Sequence, residues 1–215
     1  MELTDAMRTT HACRRYLPDP VPDEVFHRAI DAARFAPQGG NRQGVRFVVV
    51  RDPEKKRRLG EWYLVPWQKS YVAAKQGDVK LGFSNPMRAH EESNRFAHHF
   101  GEHPAIIVVC VDPTLVHPTD LELDRLSIVG GGSVYPMAQN LCLALRDQGV
   151  ATTFTTLLVA YEEQVKELLG IPDPFITACH IVAGYPERGF PSRLRRLPVE
   201  EIAFTDTFGE PLRLP

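Results

Sequence analysis

The chain has 215 residues, with 25 Lys plus Arg against 27 Asp plus Glu and 43% hydrophobic residues. That length builds one sizeable core, and a net charge of −2 leaves no electrostatic footprint for nucleic acid. The longest apolar runs, such as AIIVVCV at 105 to 111, fall far short of the ~20 residues that span a bilayer, so no membrane partner is expected. The opening MELTDAMRTT places Glu2 and Asp5 where a secretory leader carries positive charge, so the expected location is the cytoplasm. Cys13, Cys110, Cys142 and Cys179 are scattered with no C-x-x-C pair, the pattern of buried, reduced thiols. Cys13, beside Arg14 and Arg15, is a weak case for a lowered-pKa thiolate, because no base accompanies it in sequence.

In chain order, PDEVFHRAIDAAR at 22 to 34 predicts a helix with Pro22 at its first position and Asp23 and Glu24 in its first turn. Val25, Phe26, Ala29, Ile30 and Ala33 form its apolar face. Ala36-Pro37 breaks that helix, Gly39-Gly40 frees the backbone, and VRFVVV at 45 to 50 has the β-branched density of a buried strand. Asp52-Pro53 starts a charged helix that reaches about Trp62. From 62 to 102 the chain is polar and short of periodicity, an irregular or helical insertion suited to a lid. PAIIVVCVD at 104 to 112 is a second buried strand.

From Ser133, near the N-cap, to Gln148 a helix carries Val134, Met137, Ala138, Leu141, Cys142 and Leu145 on one stripe, widened by Leu143 and Ala144. So broad a face needs cover from two directions, and Gly149 ends the helix. ATTFTTLLV at 151 to 159 is extended, EEQVKELL at 161 to 169 is a short helix stopped by Gly170, and FITACHIVAGYP at 175 to 186 is the last strong strand. The proline-rich stretch 186 to 215 holds Val199, Ile202, Phe204 and Phe208, which require cover that so short a segment cannot supply. An arm lying on another surface, or on a second subunit, satisfies them. Strands interleaved with helices give an α/β or α+β single domain.

Four stretches are candidates for chemistry. Gly39 and Gly40 let main-chain N–H groups approach a ligand, with the Asn41 and Gln43 amides alongside, although a plain helix-to-strand turn explains the same residues. Arg14 and Arg15, and SRLRR at 192 to 196, suit phosphate, although most arginines are simply solvated. IVGGGSVYPM at 128 to 137 leads glycines into a helix but lacks the spacing of a P-loop or a dinucleotide fingerprint. His90, His98, His99 and His103 lie among glutamates, with His99 and His103 at the spacing of two ligands on one helical face. Asn94 fails the H-E-x-x-H test, and a polar lid is the default there.

Taken together, RRYLPDPVPDEV at 14 to 25, AARFAPQGGNRQGVRFVVV at 32 to 50, GSVYPMAQNLCLALRDQGVATTFTTL at 132 to 157 and AGYPERGFPSRLRRLPVEEI at 183 to 202 resemble the FMN-dependent nitroreductase family. The resemblance implies an α+β fold, a mostly antiparallel sheet flanked by helices, in a homodimer whose C-terminal arms, from about 186 to 215, are exchanged. It implies two interfacial FMN sites and NADH or NADPH as electron donor to a nitroaromatic, quinone or similar acceptor. The cofactor set carried over is His11, Ala12, Arg14 and Arg15 in the first segment, then Pro37, Gln38, Gly39, Gly40, Asn41 and Gln43, with Pro37 to Asn41 reaching from the other subunit. Thr155, Thr156, Leu157 and Leu158 pass the flavin ring, and Arg193 and Arg196 help hold the phosphate. No side chain is assigned as acid, base or nucleophile, and Arg14 is an electrostatic stabiliser.

The chain departs from the family at Thr10-His11-Ala12, where Arg-Arg-Ser or Arg-His-Ser is frequent, at Gln38 for Ser, and at Gly44-Val45 for Pro-Trp. These changes leave fewer phosphate donors. The alternatives are a dimer that stores FMN without turnover, a family-related reductive dehalogenase or flavin-cleaving oxygenase, and a metal-dependent hydrolase using the histidines.

Overall fold

The computed structural model describes residues 1–75 and 86–212. Four strands, β1 (Val45–Val50), β2 (Ala105–Val111), β3 (Ala151–Thr155) and β4 (Ile176–Gly184), form one antiparallel sheet in the order β1-β2-β4-β3. A single row across it runs Val48, Val108, His180, Thr155. The β2–β4 register slips between Val109 and Cys110, where Cys179 and then Thr177 are the partners, a bulge that adds local twist.

Helices cover both faces. Ile107, Val109, Ile181 and Ala183 pack under α2 (Asp23–Ala33) and α5 (Tyr135–Asp147). Their neighbours Ile106, Val108, Cys110 and Val182 point the other way, because successive strand residues alternate, and meet α3 (Pro53–Lys75), α4 (Pro86–His98) and α6 (Glu162–Leu169). This is the α+β architecture that the resemblance implied. Among the described residues no helix is long and apolar enough to cross a membrane.

The structure corrects several expectations. A helix α1 (Leu3–Thr9) precedes the segment of interest; its seven residues are too few to show a period, and only Ala6 and Thr9 are buried. Pro22 is the N-cap of α2 rather than its first residue. β1 is an edge strand with only Val45 and Val50 fully buried. α3 does not end near Trp62 but continues through Pro66 to Lys75. A proline inside a helix costs a backbone hydrogen bond, and tertiary packing outweighs it: Leu59 and Tyr63 are buried, Tyr63 stacks on Phe100 at 3.9 Å, and Trp67 Nε1 donates to Asn94 at 3.0 Å. The part of the expected lid at 76–85 lies outside the described residues.

α5 starts at Tyr135 after a 3-10 turn over Val129–Ser133, so Ser133 does not cap it. Extended chain stops at Thr155, and Leu157–Tyr161 form another 3-10 turn. Gly149 and Gly170 both take positive φ where their helices end, as sequence placed them.

Candidate functional site

Residues 10 to 17 run beside the open edge of β3. Ala12 bridges Thr152, the Cys13 N–H donates to the Thr152 carbonyl at 3.0 Å, and the Thr153 hydroxyl donates to the Cys13 carbonyl. Further on, Tyr16 shares a 3.0 Å hydrogen bond with Thr153 Oγ1, and the Leu17 N–H donates to Tyr185 O at 2.9 Å. Alternation along this extended stretch buries Cys13 at 4% exposure and turns Arg14 outward. Burial pushes the Cys13 thiol pKa up, which counts against a reactive thiolate.

Arg14 and Arg15 line two adjoining cavities of about 270 and 200 Å³. Their circumstances differ. Arg15 makes a bidentate pair with Glu92 of α4, Nε and Nη2 each at 2.8 Å from a carboxylate oxygen, and those hydrogen bonds hold Glu92 below its ordinary pKa. Arg14 makes one long bond, 3.4 Å, to the carbonyl of Ala12, and among the described residues no carboxylate lies within ion-pair distance of it. Arg188 and His11 line the smaller cavity. His11 Nδ1 is buried without a hydrogen-bond partner, and burial pushes the His11 pKa down against a hydrogen bond to the Thr9 backbone. Ala12 offers no hydroxyl, and Thr10 Oγ1 donates back to Ala6 O at 2.7 Å.

The end of β3 closes this side. Thr155 Oγ1 shares a 3.3 Å bond with the Tyr63 hydroxyl. Thr156 is exposed, Thr155 and Leu157 are half-buried, and the Leu158 side chain is fully buried in the core. The tail returns here as well, since the Leu194 N–H donates to the Arg8 carbonyl at 3.0 Å and so places Arg193 near the end of α1. Arg193 and Arg196 are exposed, and Arg196 Nη1 bonds only the neighbouring Arg195 carbonyl at 2.8 Å among the described residues.

The turn from Pro37 to Gln43 is built differently. Gly39–Asn41 form a 3-10 turn in which Gly40 takes φ 61° and Asn41 φ 51°, and Gln43 just beyond it takes φ 52°. A non-glycine residue at positive φ is uncommon, and Gln has less excuse for it than Asn. Such strain accumulates where a turn has a task. The Gly39 N–H donates to Ser133 Oγ at 3.1 Å, and Gln38 Nε2 lies 3.9 Å from Met137 Sδ. The small cleft lined by Gln38, Gly39 and Gln43 shares no residue with the two cavities around Arg14. Within one chain the 11–15 segment lines the two cavities, and neither 155–157, Arg193 nor the 37–43 turn is among their lining residues.

The histidines do not assemble. α4 ends at His98, so His99 and His103 share no helical face. His99 instead meets Glu102 at 2.8 Å, and His103 packs between Phe96 and Tyr16, where burial lowers its pKa to about 4. Among the described residues no group of His, Cys, Asp and Glu side chains is placed to hold a metal. Sequence reasoning missed Glu92, Arg188 and Arg146, whose guanidinium lies 3.6 Å over the Phe190 ring while Nε donates to Thr9 Oγ1 at 3.1 Å. Arg188 sits inside the quoted YPERGF run, and the charge there was the available signal.

An antiparallel sheet in this order, helices on both faces and a cationic cleft beside β3 define the α+β architecture. The chain belongs to the nitroreductase family, whose model matches residues 7–185. A Thermus thermophilus protein named NADH dehydrogenase is 28% identical over 216 residues, 88% of each chain. The structure of iodotyrosine deiodinase bound to FMN and 3-iodo-L-tyrosine superposes with a TM-score of 0.72 at 20% identity, covering 96% of this chain and all of that one. NADPH:FMN oxidoreductase from Vibrio harveyi complexed with NAD+ gives a TM-score of 0.67 at 20% identity, over 97% of this chain and 78% of that one.

Proposed function

We propose that the protein is an FMN-dependent oxidoreductase that draws electrons from NADH or NADPH and delivers them to a nitroaromatic, a quinone or a related small acceptor. Arg14 carries the reading. Its guanidinium lines both cavities, and although Glu92, Glu102 and Glu187 line them too, among the described residues none is paired with it, while the adjacent Arg15 is bound by Glu92. A cation left uncompensated in a cleft is a receptor for an anionic group. The orphaned His11 Nδ1 and the Gly39–Gly40 backbone fit a planar, phosphate-bearing group such as FMN. Family membership and the names of the relatives support the same choice.

Bound FMN supplies the hydride chemistry, accepting from the nicotinamide and giving to the acceptor in alternation. The chain supplies position and charge. With FMN bound, Arg14 would stabilise negative charge on the flavin, Thr155, Thr156 and Leu157 would border it, and Arg193 and Arg196 would help hold its phosphate. The Pro37–Gln43 turn completes the site of a second copy, because in its own chain it stands apart from Arg14. The exposed apolar residues of the tail, Leu197, Val199, Ile202 and Phe208, then find cover as an arm on that copy. A cytoplasmic setting suits four free cysteines and a nicotinamide donor.

Arg14→Ala tests the reading. FMN affinity falls about tenfold or more, the loss of a charge-assisted hydrogen bond, and the flavin potential drops with it. Unchanged affinity and potential would remove Arg14 from the role.

A further inference from the structure

Between β2 and α5 the chain shows Leu121, Leu123, Leu126 and Ile128 to solvent at 53 to 82% exposure, yet Asp120 among them is 2% exposed. A buried carboxylate in a surface loop requires partners, and Asp120 has four. Ser127 Oγ donates to Oδ1 at 2.8 Å, while Arg125 Nη1 at 2.8 Å and the main-chain N–H groups of Ile128 at 2.9 Å and Val129 at 3.3 Å donate to Oδ2. These bonds hold the Asp120 pKa far below the usual carboxylate range.

The two main-chain donors lead directly into the 3-10 turn Val129–Ser133. That turn contains Gly130, Gly131 and Gly132, three residues with little intrinsic preference for one conformation. Packing holds it closely only at its middle: a Cβ at Gly131 would lie 2.5 Å from the Tyr135 ring, whereas one at Gly132 would meet nothing within 4 Å and one at Gly130 would only graze Val116 at 3.9 Å. Asp120 fixes its start and the buried Val134 its finish. The Ser133 hydroxyl, just before Val134, is the acceptor for the Gly39 N–H. A continuous bonded path therefore runs from the Asp120 carboxylate through the glycine turn to the strained Gly39–Gln43 segment.

We infer that Asp120 is a positioning residue for the Gly39–Asn41 turn: it fixes the start of the glycine turn, and through it the place at which Ser133 presents its oxygen to Gly39. The inference rests on the reading of that turn as the half-site offered to a second copy's flavin. It deepens that reading by naming a residue which touches no ligand and still sets ligand affinity. A local staple would steady residues 120 to 129 and leave Gly39 alone, whereas the Ser133 bond makes the two segments one unit.

The experiment compares Asp120→Asn, Ser133→Ala and the double variant in the full-length protein, under conditions where circular dichroism shows each folded. Two quantities are read: hydrogen exchange at the Gly39 amide, and the dissociation constant for FMN itself. In each single variant Gly39 exchange rises about tenfold and FMN binds about fivefold more weakly, the scale of one lost hydrogen bond. The double variant is no weaker than the worse single, because both act through one path. Unchanged Gly39 exchange in Asp120→Asn, alongside faster exchange at Ile128 and Val129, would overturn the coupling. So would additive losses in the double variant. If the wild-type protein binds no FMN, the flavin reading fails and the role in positioning it fails too, while the exchange result still decides whether Asp120 holds Gly39. Should Asp120→Asn not fold, Ser127→Ala removes one bond to the same carboxylate and carries the same expectations at reduced size.

Discussion

Arg14 and Arg15 are adjacent in sequence, and the fold gives them different work. The second is paired with Glu92, a residue 77 positions away, and the first makes only a long bond to the Ala12 carbonyl among the described residues. Nothing in the dipeptide distinguishes them, because the distinction lies in where α4 places its carboxylate. The buried histidines are another case of burial deciding chemistry. His103 Nε2 and both ring nitrogens of His180 are buried without hydrogen-bond partners, and desolvation lowers the pKa values to about 4 and about 3. The unfolded chain titrates near pH 6.5, so below that value it binds protons that the folded state refuses, and stability falls as pH falls toward 4. His103 alone accounts for on the order of 3 kcal/mol across that window. Melting temperature followed from pH 7 to pH 4 is expected to show the decline, and His180→Leu to flatten it. A variant with the wild-type acid slope would mean that His180 is not held neutral in the folded state.

Elements were legible where local pattern and tertiary demand agree. The β-branched run at 45 to 50, the apolar run at 105 to 111 and the glycines after α5 and α6 stand where the sequence placed them. The miss is where tertiary contact overrode local preference: α3 runs through Pro66 because Tyr63 stacks on Phe100 and Trp67 bonds Asn94. The site was half legible. Motif order singled out the 11–15 and 37–43 segments, and the resemblance already set Pro37 to Asn41 on another subunit's site, whereas the partners of Glu92 and Asp120 depend on folding.

One element contact is testable without any ligand. A Cβ at Gly101 would lie 2.5 Å from the Lys56 carbonyl oxygen and 3.0 Å from Arg57 Cα, because α3 and the 3-10 turn Phe100–Glu102 meet backbone to backbone. Gly101→Ala is therefore expected to cost on the order of 2 kcal/mol in urea unfolding. At Gly170 the space is open but φ is +65°, so Gly170→Ala costs about 1 kcal/mol. Equal small losses at both positions would contradict the close approach at Gly101.

At the scale of the whole molecule, the proposed second copy would cover the exposed Leu126, Ile202 and Phe208, at 82, 63 and 91%. Sedimentation equilibrium is expected to return twice the 24.2 kDa chain mass, and a monomer at micromolar concentration would leave the Pro37–Gln43 turn without its proposed task. The most direct test of the account is an anaerobic titration of the FMN-loaded protein with NADH and with NADPH, followed by the visible flavin absorbance. At least one donor is expected to bleach the absorbance stoichiometrically, and a nitroaromatic or quinone to restore it. Bound flavin that neither donor reduces, or protein that retains no FMN, would contradict the proposed function.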